Sequence, residues 1–421
     1  MFRQLVIAGI TALFFSSTSV VMAEDSKNPS AAANWDPYLS LGGYYGSDNT
    51  SYGEVGIFAP LAQDGSSLWF TEFQGKFFEN DVSEGNAAIG YRQMMGDGYN
   101  LGAWVGLDLR NTFSDNMFTQ VSGGVEALSE RFDFRANAYL PITDKQTAAP
   151  GVETVFLSGS SIAMRGVHEV ALHGVDAEFG TRLPLGENNK GHLGVYGGGF
   201  WFDSDDAFEE IAGFKGRVEL AVNDVFGAGS SLTGGYEYTN DDVRGDRHKV
   251  GIRLRFALGD NKSAASDMSA QEWRMVDHIV RDTDIVIGES DAEQVADAYT
   301  NVRFDRVESA TDSGTLTAAI GEGANTLIIL DGAGNPIDGG HTLSPDQTLL
   351  GGGGMLRVVG LETGAVSYFN AAGTQPMLTS DGDVLTLANN THATGLNIEK
   401  TNARTIGRGI VATGGLDNVA V

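Results

Sequence analysis

The chain has 421 residues, with 27 Lys and Arg against 55 Asp and Glu, a formal net charge of −28 and no cysteine. That balance excludes a nucleic-acid binder, because holding phosphates takes clustered Lys and Arg; the missing thiols exclude a disulfide scaffold, a thiolate metal site and a cysteine nucleophile. A mean hydropathy of −0.12 is too low for a bundle of membrane helices but suits a membrane barrel, in which only alternate strand residues meet lipid.

At the N-terminus Arg3 precedes an apolar run from Leu5 to Phe15, and Val21 and Ala23 are the small residues that cleavage after position 23 needs. Residues 1–23 therefore read as a secretory signal peptide, its apolar run shorter than the roughly 20 residues that span a bilayer. Residues 24–37 read as a short periplasmic segment. From 38 to 259 no apolar period of 3.6 residues emerges, whereas segment after segment alternates with period two. Over 99–111, Leu101, Ala103, Val105, Leu107 and Leu109 point one way and Gly102, Trp104, Gly106, Asp108 and Arg110 the other. Over 248–259, Val250, Ile252, Leu254, Phe256 and Leu258 oppose Gly251, Arg253 and Arg255. Charges are costly in lipid, so Asp108, Arg110, Arg253 and Arg255 are expected to face a lumen.

Counting in this way predicts twelve strands near 38–46, 52–62, 66–79, 84–95, 99–111, 116–129, 130–142, 165–185, 191–203, 211–224, 230–241 and 248–259. An even count brings both barrel ends to one side of the membrane. Alternate connections are short (63–66, 96–98, 129–130, 186–191, 224–229) and are assigned to the periplasmic side; the longest, about 143–164, falls in the outer set. A soluble β-sandwich also alternates, but its strands average five or six residues, against about nine to fourteen here. Tyr38, Trp69, Tyr99, Phe118, Tyr139, Trp201 and Tyr236 near strand ends are expected to form the interfacial girdles. Ile252, Leu254, Phe256 and Leu258 make a closing strand of the kind that barrel-assembly machinery recognises.

Several of these segments resemble a known family. Phe58-Ala59-Pro60-Leu61, the acidic turn at Asp64 and Leu68-Trp69-Phe70 are similar to a hairpin of the inverse-autotransporter barrels of the intimin and invasin type. The segments 87–92, 101–108 and 136–141 look like that family's successive strands, and the similarity covers about 35–260. The resemblance implies a twelve-stranded barrel placed before a passenger, and a linker that runs back out through the lumen. The chain departs from the best-known members in two ways. It has no recognisable peptidoglycan-binding module over 24–35, and no tandem immunoglobulin-like repeats.

After a polar stretch at 260–267, residues 268–282 turn helical in pattern: Trp273, Val276 and Val280, flanked by Met275 and Ile279, recur at three- and four-residue spacing. A helix of about fifteen residues would extend roughly 22 Å, close to the ~25 Å apolar band of a barrel. On the residues alone it is either a plug or an amphipathic helix between domains. The resemblance places it in the lumen, where Trp273, Arg274, Val276, Asp277 and Ile279 would form a pore helix. Arg274, Asp277, Arg281 and Asp282 would then pair with charges such as Asp108, Arg253 and Arg255.

From 285 onward Gly, Thr, Asn and Asp separate short apolar runs. Over 383–421 apolar pairs recur every ten to fourteen residues with Asn389, Asn390 and Asn418 between them, as in the rungs of a parallel β-helix. A small β-sandwich is the alternative. The last rung reaches Val421 without a polar cap, so the passenger is expected to continue.

Chemistry is sparse. The seven histidines are scattered, His168 and His173 read as opposite faces of one strand, and Gly-x-Ser-x-Gly does not occur. No catalytic, cofactor-binding or metal site is assigned. Asp203, Asp205 and Asp206 are weak Ca²⁺ candidates, better read as solvated loop charges. Arg244-Gly245-Asp246 reads as a hairpin turn. The whole is an all-β chain: an outer-membrane anchor and translocator (38–259), a linker (260–284) and a surface passenger (285–421), which the family resemblance implies serves adhesion. The alternatives are a polysaccharide-degrading enzyme carried on the β-helix and a porin-like channel with a periplasmic C-terminal domain. The implied partners are outer-membrane lipid, the barrel-assembly machinery, periplasmic chaperones and an unidentified surface ligand.

Overall fold

The structure, a computed structural model, describes residues 35–48, 50–259, 262–282, 284–402, 404, 406–412 and 414–421. The expected signal peptide and residues 24–34 lie outside the described residues. Residues 35–421 form one compact unit.

Among the described residues, twelve antiparallel strands close a barrel. They are β1 (Tyr38–Gly46), β2 (Tyr52–Gln63), β3 (Ser67–Phe78), β4 (Ser83–Met94), β5 (Tyr99–Asn111), β6 (Met117–Ser129), β7 (Phe132–Pro141), β8 (His173–Pro184), β9 (Gly191–Asp203), β10 (Ile211–Asn223), β11 (Ser231–Asp241) and β12 (Gly245–Ala257). β1 closes on β12 in a register running from Tyr38 opposite Ala257 to Gly46 opposite Lys249. Pro60 cannot donate to the ladder, and the β2–β3 register slips between Pro60 and Ala62.

The alternation seen in the sequence is the two faces of this wall. Leu101, Val105, Leu107 and Leu109 are exposed on the outside, while Trp104 and Asp108 between them are buried inside. The turns 64–66, 95–98, 130–131, 185–190 and 224–230 share one end, called here the short-turn end; the other end carries the long connection 142–172.

Three expectations are corrected. The eighth strand begins at His173 rather than 165, because 168–171 leaves the wall to pair with Gln146–Thr147 and Ile287–Glu289. His168 and His173 therefore belong to different strands. The twelfth strand is Gly245–Ala257, starting within the tripeptide read as a turn. Among the girdle aromatics, Trp69, Trp201 and Tyr236 are exposed outside, but Tyr38, Phe118 and Tyr139 are buried. Their place in the alternation puts them with Ser40, Gln120 and Asn137 on the inner face, and Tyr38 stacks on Phe58 at 4.9 Å.

Beyond the barrel the chain winds into a parallel β-solenoid. One stack pairs Arg306–Ala310, Thr326–Leu330, Gln347–Gly351 and His392–Thr394. A second pairs Ile337–Asp338, Met377–Ser380 and Asn397–Lys400, and a third His341–Thr342, Leu385–Leu387 and Ile410–Ala412. Leu316 of helix α2 (Ser313–Gly321), Ile328, Leu349, Leu378 and Leu385 fill the interior. Asn325, Asp346, Asn390 and Asn418 all turn the chain at positive φ, which short polar side chains tolerate best. Asn390 donates to Asp346 at 2.7 Å and Asn418 to Asn390 at 3.1 Å, so the turns stack from rung to rung.

A separate five-stranded antiparallel sheet has the order 366–370, 355–360, 293–297, 161–165 and 154–158. Its last two strands come from the long connection between β7 and β8.

Candidate functional site

The lumen holds the chain's own residues 262–282 and 284–286. It enters at the short-turn end, where two turn residues grip it. Asp224 and Asn189 sit at φ 55° and 53°. The Asp224 carboxylate accepts from the backbone N–H of Ala265 (3.1 Å) and Ser266 (3.4 Å). The Asn189 amide donates to the carbonyls of Ala265 (3.2 Å) and Met268 (2.7 Å).

Helix α1 (Ala270–Arg274) follows, started by a capping box in which Ser269 and Glu272 satisfy each other's backbone N–H. One turn and a half is too short to stand alone in water, and the barrel wall holds it. Gln271 donates to the carbonyls of Met95 and Tyr99, Asn100 donates to the Gln271 carbonyl, and the Trp35 indole donates to the Glu272 carbonyl at 2.9 Å.

The helix ends at Arg274 because wall side chains take over its hydrogen bonding. Arg92, fully buried and paired with Glu126 at 2.5 Å, donates to the carbonyls of Met275 (2.8 Å) and Asp277 (2.5 Å). Arg255 donates to the Val276 carbonyl and lies 4.5 Å over the Trp273 ring and 4.1 Å over Tyr38. Glu72 accepts from the Ile279 N–H at 3.0 Å. The helix thus covers five residues rather than the expected fifteen. Val276, Asp277 and Ile279 lie in non-helical chain, which advances about 3.3 Å per residue when extended instead of 1.5 Å.

Charges are matched along the same path. Arg274 pairs with Asp133 (2.7 Å) and Asp277 (2.6 Å), and Asp277 also with Arg182 (3.3 Å). Farther along, Arg281 pairs with Asp108 at 2.7 Å and lies 4.8 Å over Trp104. The Tyr139 hydroxyl accepts from the Asp282 N–H, and Asp284 pairs with Lys76 at 2.5 Å. The segment leaves at the long-connection end. There Val286 packs with Tyr139, Leu172 and Phe202, and Ile287–Glu289 pairs with His168–Ala171. Beside the segment a polar cavity of about 250 Å³ remains, lined by residues including Tyr44, Lys215, Glu237, Lys249 and His278.

Residues 40–194, from β1 into β9, match the inverse autotransporter β-domain family. The chain carries an inverse-autotransporter β-domain. It is an outer-membrane barrel, and its lumen segment occupies the position of the linker that the sequence resemblance implied. No curated protein matches the chain.

Among solved structures, the chain is similar to the membrane protein of a study of in-meso crystallization (15% identity, TM-score 0.43, covering 60% of this chain and 100% of that one). It is also similar to an outer membrane channel from Pseudomonas putida F1 (11%, TM-score 0.36, 55% and 100%). A third is the β-domain of the Bordetella autotransporter BrkA (13%, TM-score 0.29, 53% and 99%).

The residues singled out in the sequence fall as follows in the inverse-autotransporter barrel. Asp108 meets Arg281 and the Ser122 hydroxyl. Arg110 pairs with Glu84 (2.7 Å) and Arg253 with Glu54 (3.1 Å), both within the wall, whereas Arg255 reaches the linker. Arg274 and Asp277 pair with each other and with Asp133 and Arg182. In the closing strand, Ile252 is opposite Gly43, Leu254 opposite Leu41 and Phe256 opposite Leu39, and Leu258 follows the strand with its N–H on the Pro37 carbonyl.

Asp206 pairs with Lys145 at 2.9 Å and Asp203 accepts from the Ser204 N–H, while Asp205 is exposed. Among the described residues no group of three or more His, Asp or Glu could hold a metal. Arg244 pairs with Asp241, and Asp246 accepts from Tyr238 and Asn240. Sequence reasoning missed Arg92, Asn100, Arg182, Asn189 and Asp224 as linker contacts. The one available signal was their place on inward-facing strand positions and at the short turns.

Proposed function

We propose that the barrel anchors the chain in the outer membrane, exports residues 285–421 through its lumen and holds them at the cell surface for adhesion. The observation that carries this reading is the path of the linker. It enters at the short-turn end on Asp224 and Asn189, crosses on Arg92, Asp108 and Tyr139, and leaves at the long-connection end into the solenoid. Both barrel termini lie at the short-turn end, and bacterial single-chain barrels keep both termini in the periplasm, which supports assigning that end there.

The outer lipid belt meets exposed residues such as Leu101, Val105, Phe134 and Phe179. The assembly machinery would read the closing strand through Ile252, Leu254, Phe256 and Leu258, and periplasmic chaperones would carry the unfolded chain to it. A stacked solenoid gives the adhesive part a long, rigid surface for its ligand.

The chain has no cysteine, so a single one can be placed at will. Ala318→Cys lies on the exposed side of α2. A membrane-impermeant maleimide should label it on intact cells; labelling only after the outer membrane is opened would overturn export and favour the periplasmic arrangement.

A further inference from the structure

The long connection between β7 and β8 does more than close a loop. Its residues Thr154–Ser158 and Ser161–Arg165 form a hairpin in full register from Ser161 opposite Ser158 to Arg165 opposite Thr154. The hairpin then pairs with the chain that has left the barrel, Ala163 opposite Gln294 and Met164 opposite Glu293.

Ile162 and Met164 are completely buried, and not among barrel residues. They pack with Val295, Phe304, Leu327, Leu350, Leu356 and Val358, the start of the passenger. At the turn of the hairpin the Ser160 carbonyl accepts from the N–H of Val307, in the first strand of the parallel stack, at 2.6 Å. A second junction lies nearer the barrel mouth, where Arg165 pairs with Glu289 at 3.2 Å and lies 4.6 Å over Phe208 of the β9–β10 connection.

A solenoid cannot begin without a cap. Each rung buries its apolar interior and its backbone groups against the next, so the first rung presents an open end and an unpaired edge. In this chain that edge is Arg306–Ala310, the first strand of the stack, and Leu327 and Leu350, which alternate with the interior residues Ile328 and Leu349, give the stack an apolar outer face that Phe304 joins. The Ser160 carbonyl closes that edge at Val307, and Ile162 and Met164 cover that face, well over a hundred positions earlier in the sequence and on the barrel side of the linker.

We propose that hairpin 154–165 is a barrel-supplied cap, so that the first rungs of the passenger hold their fold only against an assembled barrel. In the cell, if the export proposed above is correct, the hairpin is also the first folded surface that the emerging chain meets. Pairing with 293–297 would then fix the outgoing chain at the mouth and keep it from sliding back.

The test uses the full chain purified in detergent micelles. Ile162→Asp with Met164→Asp should leave the heat-modifiable mobility of the barrel unchanged and speed protease digestion after residue 300 at least tenfold. Equal digestion with an intact barrel would overturn the proposal. Because a double charge could also harm barrel assembly, Ala163→Cys with Gln294→Cys provides a second reading. These residues lie directly opposite each other, so oxidation should link them and slow digestion threefold or more, reversibly on reduction. Failure to link, or digestion unaffected by the link, would likewise overturn it. Export is read separately, by maleimide labelling of Ala318→Cys on cells, so failure of export and failure of the cap are distinguishable.

Discussion

Arg281→Ala tests whether the linker is held in the lumen by specific charge pairing or merely confined there. The Arg281 guanidinium lies 2.7 Å from the Asp108 carboxylate and 2.6 Å from the Ser122 hydroxyl, with side chains only 4% and 0% exposed for the ionic pair. Removing one partner of a buried pair costs about 3–5 kcal/mol when the other charge is stranded. Here Asp108 keeps a hydrogen bond from Ser122 at 2.7 Å, and water can enter the space that the guanidinium leaves. A hydrogen bond to a charged group is worth about 1.5–3 kcal/mol, so the loss should be about 2–3 kcal/mol. That amounts to roughly 30- to 150-fold more time with the linker displaced. Single-channel recording in planar bilayers should show the corresponding rise in the open fraction, and adding Asp108→Asn should recover part of the closure, since it removes the stranded charge. An open fraction equal to wild type, or a double variant whose effect is the simple product of the singles, would refute specific anchoring by this pair.

Three further predictions concern assembly and the passenger. Phe256→Asp should abolish the heat-modifiable barrel. A lipid-facing carboxylate costs less than the ~2–4 kcal/mol of a midplane cation, so the defect would report failed recognition of the closing strand, and normal mobility would contradict that role. His392→Ala should destabilise the solenoid by about 1.5–3 kcal/mol in urea unfolding. Asp297 loses its 2.7 Å partner but keeps the backbone N–H groups of Tyr299 and Thr300 and the Thr348 hydroxyl; a loss within about 0.5 kcal/mol, the range of neutral surface changes, would refute the pairing. Acid should weaken the passenger in two steps. Burial holds the His341 imidazole below its ordinary value, so the unfolded state takes up protons first, and stability falls as pH drops below about 6.5. Burial alone would raise the Asp297 carboxyl, but the His392 hydrogen bond and the backbone donors outweigh it and leave it lowered. Its contribution is therefore complete above about pH 3.9 and is lost as pH falls from there through the lowered folded value. Circular dichroism against pH should show both steps, with His341→Gln removing the upper one; a single step near pH 4 in the wild type would count against His341.

The barrel was legible because its rule is local. Each strand residue faces lipid or lumen according to its parity, so Leu101, Val105 and Leu109 against Asp108 and Arg110 declare a wall without reference to any partner. The same holds for the Asn turns of the solenoid, since a residue at positive φ must be small or short and polar wherever it sits. The sequence by itself thus determined a membrane barrel, the parity of its short turns, and stacked rungs after it. Tertiary structure alone decided what depends on groups distant in the chain. An amphipathic period over 268–282 becomes a five-residue helix because Arg92 and Arg255 take the carbonyls of Met275, Val276 and Asp277. Tyr38 and Tyr139 turn inward to meet Arg255 and Asp282 rather than lipid. The long connection 142–172, which carries no period of its own beyond a few residues, becomes structured because the linker and passenger bring 287–297 alongside it. Local alternation encodes which way a side chain points, whereas pairing across more than a hundred residues is settled only when the closed barrel holds its own chain in its lumen.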